Sequence, residues 1–209
     1  FAVWPYFAAT SVSGMEVNAM LTLLALAAWL VLQRNPWSGV ALGALSLTRP
    51  EGIACAAVIA IWARNRDRLI GAGLLTLGLA SLWLYYGSPV PQSLIAKAEI
   101  YGTPGPWAGR AWWEWLVPFE LGRWPVTQEG FQLFAIRVLF TPACVVGLWK
   151  LRRSSGLMFP SACLVAWLGY SLLGVAYFSW YLLVPAGGFA FLAAVGLPEL
   201  LRGKWVYAT

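Results

Sequence analysis

The sequence predicts an all-α fold: a polytopic transmembrane helical bundle of about seven membrane segments, including a hairpin of two short helices, with an external amphiphilic loop. Three observations predict it. Of 209 residues, 60% are hydrophobic and only 11% charged, and the mean hydropathy is +0.70; soluble domains carry about 25% charged residues. Apolar runs of helix length alternate with short basic stops. Fourteen residues are Trp, whose amphipathic ring favours the membrane–water interface. The chain opens on Phe1 with no secretory leader pattern. It reads as the C-terminal portion of a single transmembrane domain, 1–209, in a longer protein.

The segment 1–10 is apolar and aromatic and is expected to close a helix begun upstream. Ser11 to Ser13 offers an N-cap, and 15–32 supplies enough residues to cross a ~30 Å core at 1.5 Å per residue. Gln33-Arg34-Asn35-Pro36 ends it. The segment 37–63 is either one long span interrupted at its middle or two short helices, 37–48 and 52–63. Pro50 disfavours helix at residue 49, and Gly52 widens the backbone choices, so a hairpin is expected. Each arm is roughly 16–20 Å long, so its tip lies below the lipid surface. Irregular backbone at that depth is tolerated only against protein or a cavity.

Arg64-Asn65-Arg66-Asp67-Arg68 is a basic loop, and 69–85 is the next span. From 86 to 130 the chain mixes Trp with charged residues and reads as the external loop with interfacial helices. Spans follow at 131–149, carrying Arg137, at 157–176 and at 181–197. Nine of the 14 Lys and Arg residues fall in four short loops, at 33–36, 64–68, 150–155 and 202–204. The positive-inside rule puts those loops in the cytoplasm. The net charge of +6 is therefore a topology signal, and no nucleic-acid partner is implied.

Cys55, Cys144 and Cys163 sit in apolar runs and read as small buried residues. The chain has no His, which excludes imidazole catalysis and imidazole metal ligands from this segment.

Four polar features are left for the opposite side. They are Ser13-Gly14-Met15-Glu16, Leu47-Thr48-Arg49-Pro50-Glu51-Gly52, the stretch from Tyr85 to Ser93 with Lys97 and Glu99 beyond it, and Phe178-Ser179-Trp180-Tyr181-Leu182-Leu183-Val184-Pro185. The second is the expensive one, because a charged side chain near a bilayer centre costs roughly 2.5–3.5 kcal/mol on insertion scales. Structural readings are open for each: Glu16 as a first-turn carboxylate, Arg49 paired with Glu51 or Glu16, Lys97 as a snorkelling cation, and Trp180 and Tyr181 as aromatic-belt residues. Arg137 is expected to be a membrane-end anchor or a loop contact. The functional reading unites them in one site. Arg49 and Lys97 would hold a lipid-linked phosphate, Glu16 and Glu51 would orient those cations or bind sugar hydroxyls, and Trp180 and Tyr181 would face a sugar ring or prenyl chain.

Ser-Gly-Met-Glu opening a span, then Leu-Thr-Arg-Pro-Glu-Gly, then Tyr-Tyr-Gly-Ser-Pro-Val-Pro-Gln-Ser with Ala-Lys shortly after, resemble in order and spacing the bacterial GT-C membrane glycosyltransferases. The branch most similar is that of the terminal arabinofuranosyltransferases of the actinobacterial cell wall. The resemblance covers roughly residues 11–100 and, more weakly, 180–185. In that branch the third motif has Leu and Asn where this chain has Val90 and Gln92. The resemblance implies transfer of a sugar from a polyprenyl-phosphate donor to a cell-envelope glycan or glycolipid acceptor, on the outer face of the bacterial plasma membrane. It implies that Tyr86, in the third motif, belongs with the sugar- or cation-orienting residues. It also implies a catalytic carboxylate in an external loop after the first membrane helix. The one Asp here, Asp67, falls on the cytoplasmic side, so that base is expected upstream of Phe1. No cofactor is assigned, and a divalent cation is left open. The alternatives are a polytopic transporter or lipid flippase, and a non-catalytic membrane scaffold whose Trp-rich loop docks a partner.

Overall fold

The computed structural model describes residues 16–90, 99, 128–172, 181 and 183–202. Among them are seven α-helices and no strand. These are α1 (Glu16–Leu32), α2 (Ser38–Thr48), α3 (Pro50–Ala60), α4 (Asn65–Tyr86), α5 (Gln128–Leu151), α6 (Met158–Leu172) and α7 (Leu183–Leu201), with a 3-10 turn at Ser155–Leu157. The all-α expectation is met. Two helices, α4 and α7, are long and apolar enough to cross a membrane.

Helix α1 is the hub. Val17, Met20, Leu21, Leu24, Ala27, Ala28 and Val31 are buried, a stripe at the three- and four-residue spacing of one helix face. It packs against α2, α3, α6 and α7. Its end is closed by a Schellman-type pair: Asn35 N–H donates to Leu30 O (2.9 Å) and Arg34 N–H to Val31 O (3.1 Å). Arg34 therefore takes a left-handed conformation, φ 51°, a position that usually falls to glycine.

Neighbouring contacts fix the direction of each helix. Along α2 and α4, Gly39 meets Ile70, Gly43 meets Leu74 and Gly78 meets Leu47, a parallel ladder in steps of four. Helices α3 and α6 run antiparallel, with Cys55 Sγ donating to Ala162 O at 3.4 Å. Helices α5 and α7 run parallel. A Cβ on Gly196 would overlap the Ala143 carbonyl oxygen, and one on Gly147 the Leu192 carbonyl, so these backbones touch where only glycine fits. Cys144 Sγ donates to Phe189 O at 3.3 Å, and Lys150 pairs with Glu199 one turn further on.

These directions sort the charges by end. Arg34, Arg64, Arg68, Lys150 and Arg152 lie at one end of the bundle. There Arg64 Nε binds Asp67 Oδ2 at 3.0 Å, and Arg68 Nε and Nη2 donate to Ala60 O and Ile61 O at 2.7 and 2.8 Å, satisfying carbonyls left over at the end of α3. The opposite end gathers the start of α1, the α2–α3 turn and the end of α6.

Helix ends differ from the sequence expectation by a few residues. Helix α4 begins at Asn65, inside the basic run, because Asp67 is buried against Arg64. Helix α7 continues through Pro198 to Leu201. Of the expected external loop, only 86–90, 99 and 128–130 lie among the described residues.

Candidate functional site

The hairpin is as expected, and its tip is Arg49. Helix α2 ends at Thr48, whose hydroxyl donates to Leu45 O at 2.7 Å. Arg49 is fully extended, φ −157° and ψ 156°, as suits a residue before proline. Pro50 then opens α3 at a position where its missing N–H matters least. Gly52 lets the arms close: a Cβ there would overlap the Leu45 carbonyl oxygen.

The ladder sets the depth of the tip. Leu47 packs at the level of Gly78, and α4 continues to Tyr86. Those eight further residues rise about 12 Å, so Arg49 sits roughly 10 Å below the end of α4.

Four helices bring their groups to this recess. Arg49 Nε donates to Glu51 Oε1 at 2.5 Å, and Nη1 to Glu16 Oε2 at 3.2 Å. The Tyr170 hydroxyl, from α6, donates to the same Glu51 Oε1 at 2.5 Å. The Tyr170 ring stacks on Tyr181, centroids 4.7 Å apart, and the Arg49 guanidinium lies 5.4 Å from the centre of the Tyr181 ring, within cation–π reach. Glu16 and Glu51 stand in first turns, where the helix dipole favours a carboxylate, while Arg49 caps the end of α2 and the start of α3 at once, so the two dipoles oppose there.

Of the residues proposed from sequence, Glu16, Arg49, Glu51 and Tyr181 therefore converge. Tyr86 does not join them. It is exposed at the end of α4, its ring edge-on to Tyr85, a turn or more beyond the turn residues. Lys97 and Trp180 lie outside the described residues. Tyr170 is the member that sequence reasoning missed. Its one available signal was a phenol inside an apolar run, since a buried Tyr hydroxyl usually needs a partner.

Two carboxylates, Glu16 and Glu51, face the single guanidinium of Arg49, so the cluster carries one formal negative charge. Arg49, with 10% of its side chain exposed, is already paired. The structural pairing anticipated for Arg49 is thus present. Among the described residues no group of three or more Asp, Glu, His or Cys could hold a metal ion.

Between α5, α6 and α7 lies an apolar cleft of about 240 Å³, lined by Leu148, Pro160, Leu164, Trp167, Phe189 and Leu192 among others. Of its lining, Trp167 and Pro185 come within four residues of Tyr170 or Tyr181, while Leu148, Leu157 and Pro160 lie toward the basic end. No family model matches this chain, and neither a curated protein nor a solved structure does.

Proposed function

We propose that this chain is part of an integral membrane glycosyltransferase of the GT-C type. It takes a sugar from a polyprenyl-phosphate donor and passes it to a cell-envelope glycan or glycolipid on the outer face of a bacterial plasma membrane. The observation that carries this reading is the recessed Arg49 cluster at a broken helix pair. A guanidinium held by Glu51 and Tyr181 is pre-positioned for a phosphate leaving group, which it would stabilise as negative charge develops. The apolar cleft between α5, α6 and α7 suits the donor's hydrocarbon. Lys97 would add a second cation and Trp180 an aromatic face. The seven helices would form the membrane bundle, with α2 and α3 as a re-entrant hairpin, and the basic end would face the cytoplasm. A carboxylate upstream of Phe1 would deprotonate the acceptor hydroxyl.

The test is Arg49→Gln combined with Glu51→Gln, which removes both charges of the tight pair together. The intact protein should still express and fold, while transfer from a labelled polyprenyl-phosphate sugar falls at least about a hundredfold. Undiminished transfer overturns the assignment of Arg49.

The net negative charge of the cluster favours a second reading, a cation-coupled transporter, since broken helices also build transporter sites. Reconstituted vesicles that move substrate without sugar transfer would establish it.

A further inference from the structure

We propose that Glu16 is a displaceable counter-ion: it holds the outer edge of the Arg49 guanidinium until a phosphate group takes its place. This rests on the reading of Arg49 as an anion site and specifies how that site opens. The two carboxylates on Arg49 are not equivalent. Glu51 is 15% exposed, binds Nε at 2.5 Å and is held from behind by the Tyr170 hydroxyl. Glu16 is 71% exposed and makes one contact to Nη1, at 3.2 Å. It belongs to a different helix from the Arg49–Glu51 turn and stands in that helix's first turn.

Departure of Glu16 leaves Arg49 anchored. Nε keeps Glu51, and Tyr181 keeps the guanidinium face. The edge that becomes available is the one that presents parallel N–H groups to a phosphate. The charges also demand it. With both carboxylates in place an anion meets a local sum of −1; with Glu16 turned away, Arg49 and Glu51 sum to zero. An exposed ion pair is weak and a long side chain rotates easily, so the exchange is inexpensive.

The experiment is calorimetry on the intact protein in nanodiscs, with inorganic phosphate and farnesyl phosphate as separate probes. Glu16→Gln is expected to tighten binding about three- to fivefold, the worth of an exposed pair. Glu16→Ala should do the same, which separates loss of charge from a particular side-chain contact. Arg49→Gln/Glu51→Gln should bind neither probe. Binding unchanged or weakened in both Glu16 variants overturns the proposal, and assigns Glu16 to orienting Arg49. If inorganic phosphate shows the gain but farnesyl phosphate never binds, the counter-ion role stands and the lipid-linked reading falls. If neither probe binds any variant, both fall.

Discussion

The Tyr170 hydroxyl donates to Glu51 Oε1 at 2.5 Å across 119 positions of sequence. It ties the end of α6 to the α2–α3 turn, and through Glu51 it fixes Arg49. Tyr170→Phe removes this donor and keeps the ring stacked on Tyr181. The expected loss is about 1–2 kcal/mol, typical of a hydrogen bond to a charged group within a helical bundle. Denaturant titration in detergent measures it; an unchanged midpoint shows the bond to be inconsequential.

Arg49 and Glu51 should be coupled more strongly than either is valuable alone. Arg49→Gln leaves a largely buried carboxylate without its cation, which is more damaging than removing both charges. The single variant should therefore be less stable than Arg49→Gln/Glu51→Gln, with a coupling of about 1–3 kcal/mol in a double-mutant cycle. Additive effects would mean that the pair is incidental.

Gly52→Ala tests the closeness of the hairpin. Its Cβ would overlap the Leu45 carbonyl oxygen, and backbone yields less readily than a side-chain tip. A cost of about 1–3 kcal/mol is expected, as for overpacked cores. Because Gly52 follows Glu51 directly, phosphate binding should weaken in the same variant. A wild-type melting temperature would contradict the close approach.

Arg34 offers a change in the opposite direction. It occupies the left-handed position after α1 at φ 51°, which costs an L-residue about 1 kcal/mol or more relative to glycine. Arg34→Gly should raise the unfolding free energy by about that margin, seen as a higher thermal midpoint. A fall instead would show that its charge at the basic end matters more than its backbone.

Much of this arrangement was legible in the sequence because few physical rules govern it. Pro50 and Gly52 signalled the break. The count of Lys and Arg in short loops sent Glu16, Arg49 and Tyr181 to one end before any contact was known. What stayed hidden depended on rotation about helix axes. An all-apolar helix carries almost no amphipathic signal, so nothing in 157–176 said that Tyr170 faces Glu51 rather than lipid. The fate of Tyr86 was hidden likewise. Its motif lies next to the others in sequence, but α4 overshoots the short hairpin and carries Tyr86 beyond it. The small residues between helices, Gly147 and Gly196 above all, show their purpose only once two backbones meet.

The recess below the end of α4 has an electrical consequence. If α4 spans a ~30 Å hydrocarbon core, an anion that descends roughly 10 Å to Arg49 crosses about a third of the transmembrane voltage. At 2.3 kcal/mol per charge per 100 mV, that is about 0.8 kcal/mol, or roughly fourfold in affinity. If the recess faces outward and takes a phosphate as proposed, an interior-negative membrane would weaken capture and speed release.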